Sequence, residues 1–332
     1  MRVKIMITPC FFGTRSDGMY AATYEITNTC NLACKHCMNQ SGNEAFPGLP
    51  IQDALALISE MYDVGVRSLY ISGGEPLTYP EIDQVMRFCN EKGIKLSMAT
   101  NGVLVPEHLK TIVECVHDIS ISLDGIGIVH DDFRGTHGMF DLVSETFAAL
   151  CGKVNMIVST VIWKGNMDSL EDIVQFVYEA GVSQINFSYL VPLGRATSSS
   201  IHIEKEDYSR IKEIVNRLQE FYVDKDFKIL FRRSSHITAD SLDCAGGSMI
   251  MHATANGKIA PCSWCAKVGG EQAKTMTVQW TRGNMTQCVK QISRLQEINH
   301  QRKEKFGYTG CPAMSLVYSG SFDSDDPLNI LM

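Results

Sequence analysis

The segment Thr29-Cys30-Asn31-Leu32-Ala33-Cys34-Lys35-His36-Cys37-Met38 carries three cysteines separated by three and two residues. Three thiolates on one short loop can ligate three irons of a [4Fe–4S] cube, which leaves the fourth iron open to a small molecule. The competing chemistry is a zinc knuckle, in which His36 would complete a closed four-ligand site. His36 abuts Cys37, however, and adjacent residues rarely converge on one small ion, so the iron–sulfur reading is preferred. A second concentration of thiols, Cys244, Cys262, Cys265 and Cys311, lies near the other end of the chain. The remaining cysteines, Cys10, Cys89, Cys115, Cys151 and Cys288, are dispersed and read as small buried hydrophobes.

Such loops need a scaffold, and the pattern from residue 20 to 195 supplies one by alternating short β-rich runs with amphipathic helical stretches. Strands are predicted at Tyr20–Ile26, Arg67–Ser72, Ile94–Ala99, Asp118–Leu123, Val154–Ile162 and Gln184–Leu190. Helices are predicted between them at Gln52–Val64, Glu81–Lys92, Leu104–Val116, Phe140–Leu150 and Leu170–Ala180. Repeated strand–helix units imply a parallel sheet with helical crossovers. Six strands fall short of the eight of a closed TIM barrel, so the expected fold is a partial, open (β/α)6 barrel. Most strands run into Gly, Asn, Asp or Pro, as suits the ligand-binding loops at the carboxyl ends of parallel strands.

The composition is that of an ordinary globular chain: 332 residues, 45% hydrophobic and 20% charged, with a net charge of -7. That charge gives no field favouring nucleic acid or an anionic membrane surface. No run approaches the roughly 20 apolar residues of a membrane span, and the first residues do not read as a signal peptide. A cytoplasmic location is expected, and in a reducing compartment clustered cysteines point to metal rather than disulfides.

With these positions in hand, the chain resembles the radical S-adenosylmethionine (SAM) enzymes over roughly residues 20–195. The Cys-x3-Cys-x2-Cys loop after the first strand carries the resemblance, joined by Gly73-Gly74-Glu75-Pro76 at the end of the second. The resemblance implies that this second segment binds the SAM amino group. There the glycines would allow close backbone approach, and Glu75 would accept from the ammonium. Thr100-Asn101-Gly102 and Ser120-Ile121-Ser122-Leu123-Asp124-Gly125 end the third and fourth strands. By resemblance, Asn101, Ser122 and Asp124 are candidates for the SAM ribose and carboxylate. Their alternative roles are turn and helix-cap residues. Pro192-Leu193-Gly194-Arg195-Ala196 offers Arg195 as a contact to SAM or a cluster, or simply a surface turn.

Beyond a linker signature at Ser198-Ser199-Ser200, a helix is predicted at Lys205–Tyr222. From about residue 240 the character changes to Gly, Thr and Cys, with no helical period until about Gln287. Cys244, twelve residues to Gly257, then four to Cys262, resembles the opening of an auxiliary-cluster module of the SPASM or shorter twitch type. Strands Met249–Thr254 and Lys258–Ala260 would close through the Asn256-Gly257 turn. With Cys265 and Cys311, four thiolates suffice for one closed [4Fe–4S] cluster, which favours the twitch-like form. A four-cysteine zinc ribbon is the alternative, and Cys288 could replace Cys265 or Cys311. The division expected is an extension at 1–19, a barrel core at 20–200, a connecting helix and strand at 201–240, and the cysteine-rich module at 241–332.

The resemblance further implies two [4Fe–4S] clusters, reductive cleavage of SAM to a 5′-deoxyadenosyl radical, and hydrogen abstraction from a substrate. The expected substrate is a ribosomally made peptide undergoing thioether or C–C crosslinking or epimerisation. The alternative is dehydrogenation or a related step on a small molecule in aminoglycoside or cofactor biosynthesis. An electron donor such as flavodoxin or ferredoxin is an expected partner. The short stretch before the first strand leaves leader-peptide recognition to a separate protein or to the barrel itself.

Overall fold

The computed structural model describes residues 20–42, 45–197, 199–204, 206–232 and 243–325. Cys10 and Ser198 therefore lie outside the described residues, as does the start of the expected helix at Lys205. The chain begins with β1 (Ala21–Thr27), α1 (Ile51–Asp63), β2 (Ser68–Gly73), α2 (Ile82–Glu91), β3 (Lys95–Thr100), α3 (Val105–Cys115) and β4 (Asp118–Ser122). It continues through α4 (Ile128–Arg134), α5 (Met139–Leu150), β5 (Asn155–Ile162), α6 (Leu170–Glu179), β6 (Gln184–Tyr189), α7 (Asp207–Phe221) and β7 (Lys228–Arg232). The last third adds β8 (Ile250–Ala253), β9 (Lys258–Ala260), α8 (Ser263–Lys267), α9 (Glu271–Thr275), β10 (Val278–Gln279), α10 (Met285–Ile292), α11 (Leu295–Phe306) and α12 (Pro312–Ser319).

All ten strands of the described residues join one sheet in the order β10-β9-β8-β1-β2-β3-β4-β5-β6-β7. The stretch from β8 through β7 is parallel, and β9 and β10 are antiparallel. This is the expected open α/β sheet, extended at both ends. β7 adds a seventh strand, and the hairpin of the cysteine-rich region does not stand apart, because β8 pairs with β1 with Thr23 opposite His252. Its turn also differs in detail: Gly257 alone takes positive φ, at 78°, while Asn256 does not. A left-handed glycine closing a longer turn replaces a two-residue Asn-Gly turn. The region is also richer in helix than its composition suggests, since α8 and α9 are too short to show a period.

Strand alternation divides the two faces. Ala22, Tyr24, Ile26, Leu69, Ile71, Leu96, Met98, Ile119, Ile121, Val158, Ile185 and Phe187 pack in one core with helix residues such as Leu57, Met61, Val85, Ile112, Phe147 and Val174. Burying an apolar side chain of this size contributes about 1.5–3 kcal/mol, so this layer anchors the fold. The intervening residues Thr23, Tyr70, Ser72, Ser122, Ser159, Asn186 and Ser188 line a cavity on the other face. Among the described residues no helix is long and apolar enough to cross a membrane.

Candidate active site

The three-cysteine loop leaves the end of β1 and closes on itself, with Cys30 N–H donating to Gly42 O at 3.1 Å. Cys30 and Cys34 are buried and Cys37 is half-buried, and the three thiols are mutual electrostatic neighbours. Burial pushes the free Cys30 thiol up to about 12, against the pull of the Leu32 N–H. Main-chain N–H groups already address the sulfurs, from Leu32 to Cys30 and from Ser41 to Cys37, each at 3.4 Å. Burial raises Cys34 as well, while the Arg134 guanidinium hydrogen-bonded to it works in the opposite direction. These donors suit thiolates held by a metal centre.

The Gly73-Gly74-Glu75-Pro76 segment lies beside this loop. Gly74 N–H donates to Thr27 O at 2.8 Å and Glu75 N–H to Thr29 O at 2.9 Å. A Cβ on Gly74 would sit 2.1 Å from Thr29 O, so no other residue permits this approach. Glu75 lines the cavity as well and is engaged by its own neighbours. Its carboxylate accepts from Thr100 Oγ1 at 2.9 Å, Asn101 N–H at 2.7 Å and Leu77 N–H at 3.2 Å, capping the short turn at Pro76–Thr78. Burial pushes this carboxyl up to about 7, against those three hydrogen bonds. Three donors leave the carboxylate with accepting capacity, and Gly73, whose carbonyl accepts from Asn39, stands in the same cavity wall as a second acceptor for an ammonium.

Asn101 lines the cavity and donates to Asn31 Oδ1 at 2.7 Å, tying β3 to the cysteine loop. Ser122 also lines it, level with Ser159 and Asn186 across β4, β5 and β6. Asp124 does not: it is fully buried behind the wall, 2.5 Å from Arg134 Nη2, and accepts from Val161 N–H at 2.8 Å. Burial alone would raise its carboxyl, but Arg134 above all, with His36, His130 and the Val161 N–H, holds it below the usual range. Arg195 reaches the loop rather than a surface turn, donating from Nε to Cys34 O and from Nη1 to Ser41 O, both at 2.8 Å.

Several groups here escaped sequence reasoning. Arg134, on the unanticipated α4, bridges Asp124 and Cys34. His36, the residue before Cys37, stacks on Phe133 with ring centroids 4.1 Å apart, and Phe133 stacks on Trp163 at 4.3 Å. Burial lowers His36 to about 4, so its ring is neutral. A polar face alternating with an apolar one along each strand was the available signal for Asn186 and Ser159; none marks Phe133.

The second cysteine group also gathers. Cys262, Cys265 and Cys311 share a small core with Cys244 packed against it, and Cys265 feels the charges of the other three. Cys244 N–H donates to Thr309 Oγ1 at 2.5 Å, and the buried Arg302 donates to Thr309 O at 2.5 Å. Cys288 lies elsewhere, in the main core beside Glu60. Among the described residues no three His, Cys, Asp or Glu side chains converge on one point as a single metal ion requires. A cube-shaped cluster spreads its ligands more widely over its corners. The cavity spans both regions: Ser263 and Trp264 of α8 share its wall with the three-cysteine loop and with Gly73 and Gly74. Around it His36 Nδ1, Asn186 Nδ2, Arg195 Nη2 and Trp264 Nε1 are buried with no partner among the described residues. Unsatisfied polar groups of this kind await a polar ligand, and the residues present fit SAM beside a cluster.

Comparison with known proteins gives the same picture. Residues 24–178 match the radical SAM superfamily. The AdoMet-dependent heme synthase of Methanosarcina barkeri is 25% identical over 92% of this chain and 94% of its own. AlbA, the antilisterial bacteriocin subtilosin biosynthesis protein of Bacillus subtilis, is 28% identical over 73% of this chain and 54% of its own. The fold superposes on Streptococcus suis SuiB bound to S-adenosylmethionine with a TM-score of 0.70, at 16% identity, covering 92% of this chain and 76% of that one.

Proposed function

Because residues 24–178 form a radical SAM domain, we propose that this enzyme uses a SAM-derived radical to modify a ribosomally made peptide, by thioether or C–C crosslinking or by epimerisation. When bound, the reduced cluster at Cys30, Cys34 and Cys37 supplies the electron that cleaves SAM. The chain's own groups orient SAM through the Gly73-Gly74 backbone, Asn101 and Ser122, hold the loop through Arg195, and keep water from the cavity. Cys244, Cys262, Cys265 and Cys311 hold the auxiliary cluster, whose role is to accept an electron from the substrate radical or to bind substrate.

The observation that carries the peptide reading is the charge of the cavity wall. Its substrate side offers Thr23, Tyr70, Asn186, Ser188, Tyr189 and Trp264, which are neutral hydrogen-bonding or aromatic groups suited to amides and side chains. Among the described residues the cations lining it are Arg134, paired with Asp124 and Cys34, and Arg195, which holds two loop carbonyls and keeps one guanidinium nitrogen free. A tetrapyrrole presents carboxylate side chains, and burying those without fresh cations is costly. The second reading, a tetrapyrrole or other small-molecule substrate, draws on the near full-length likeness to heme synthases. AlbA is named for the biosynthesis of a bacteriocin, and SuiB has been crystallised with the precursor peptide SuiA.

The test begins with anaerobically reconstituted protein, SAM and dithionite. Formation of 5′-deoxyadenosine is expected, and is expected to disappear in Cys30→Ala/Cys34→Ala/Cys37→Ala. Precursor peptides and an iron tetrapyrrole with carboxylate side chains are then supplied in parallel. A mass change in a peptide supports the first reading, and a mass change in the tetrapyrrole alone overturns it.

A further inference from the structure

A set of buried and half-buried charged and polar groups runs between the two cysteine regions. Lys267, two residues after Cys265 at the end of α8, donates from Nζ to Glu25 Oε2 at 2.6 Å. Glu25 is 5% exposed, on the cavity-side face of β1. Its Oε1 accepts from Asn39 Nδ2 at 3.2 Å, and the same Asn39 nitrogen donates to Gly73 O at 3.1 Å. Asn39 belongs to the three-cysteine loop, two residues past Cys37. His252, the other basic group nearby, stands with Nε2 3.7 Å from Glu25 Oε1 and bonds Thr23 Oγ1 through Nδ1 at 2.6 Å. Burial lowers it to about 4, so Lys267 is the cation that neutralises Glu25.

We infer that Lys267, acting through Glu25 and Asn39, is a positioning residue for the Gly73 carbonyl, and so couples the helix bearing Cys262 and Cys265 to SAM binding. The inference rests on the radical SAM reading above. Three consecutive contacts join α8, β1, the cysteine loop and the Gly-Gly-Glu-Pro segment. Glu25 without its ammonium would be an unpaired buried charge, which draws in other donors. Asn39 Nδ2 is the donor it shares with Gly73, so the carbonyl orientation changes with it. Coupling of this kind is reciprocal: an ordered α8 favours SAM, and bound SAM favours an ordered α8.

The experiment uses the full chain, anaerobically reconstituted, with SAM as the probe. Isothermal titration gives the SAM Kd, chemical analysis gives iron per chain, and the electron paramagnetic resonance of the reduced cluster reports whether SAM reaches the iron. In Lys267→Met the Kd rises on the order of tenfold, while iron at Cys30, Cys34 and Cys37 stays at the wild-type value. Lys267→Arg keeps the charge and returns the Kd toward wild type. Glu25→Gln/Lys267→Met removes both charges yet keeps an acceptor for Asn39, so it binds SAM more tightly than Lys267→Met alone and controls for general destabilisation. In Cys262→Ala/Cys265→Ala the Kd also rises, and adding Lys267→Met costs little more, because both break one linkage. An unchanged Kd in folded Lys267→Met, or a loss that simply adds to that of the cysteine variant, overturns the inference. Wild type that binds no SAM overturns the reading beneath it instead.

Discussion

Arg195 Nε donates to the carbonyl oxygen of Cys34 at 2.8 Å across 161 residues of sequence. Its Nη1 holds Ser41 O at the same distance, so one guanidinium clamps the middle and the end of the three-cysteine loop. A hydrogen bond from a charged group contributes about 1.5–3 kcal/mol. Arg195→Ala is therefore expected to leave the barrel folded but to lose a large part of the iron held by that loop, as measured per chain after reconstitution. Arg195→Lys cannot make both contacts and should fall between. Full iron occupancy in both variants would show that the loop needs no clamp.

The buried pair of Asp124 and Arg134 makes a stability prediction. Asp124→Asn leaves the Arg134 guanidinium buried without its carboxylate, at a cost of about 3–5 kcal/mol. The thermal midpoint of the apo chain should fall by several degrees, and Asp124→Asn/Arg134→Met should recover most of the loss. A double variant no more stable than the single one would contradict this account of the pair.

Glu75 gives a pH dependence. Its folded carboxyl stands at about 7, above the ordinary 4.5, because burial disfavours the charge. Between those values the folded chain holds a proton that the unfolded chain has released, so stability falls as pH rises through the window and levels off above it. Urea unfolding of wild type and Glu75→Gln at several pH values isolates the group. The difference between the two curves should slope across that window, and a flat difference would place the Glu75 charge elsewhere in the balance.

Cysteine identity gives a counting experiment. Cys288→Ala should leave iron content unchanged, since this thiol sits in the main core with Sγ 3.4 Å from Asn284 Oδ1. Cys265→Ala should remove up to about four irons per chain, the content of one cluster. Zinc in place of that iron in wild type would make the second group structural.

Legibility in the sequence follows from how local each signal is. The cysteine spacing, the Gly73-Gly74 pair and the strand–helix alternation are written in consecutive residues, and the fold agrees with the last of these. Asp124 illustrates the limit: its place at a strand end suggested a ligand contact, but its partner Arg134 sits on a seven-residue helix too short to show a hydrophobic period. The donors that meet Glu75 were hidden in the same way, because they come from Thr100 and Asn101, one strand further on. The join of β8 to β1 was equally invisible, since nothing local at Ile250–Ala253 says which strand it will meet.

That join has a consequence in time. β1 is an interior strand, flanked by β2 on one side and by β8 on the other, yet Ala21 pairs with Ile250, 250 − 21 = 229 residues later. At about 5–20 residues per second, a ribosome needs roughly ten to fifty seconds to deliver that neighbour. Throughout that interval the strand leading into the three-cysteine loop has one bare hydrogen-bonding edge, the kind of edge that invites wrong pairing. The nascent chain should be most in need of a chaperone, and most easily lost to aggregation, when its three-cysteine loop is complete and its last third is still unmade.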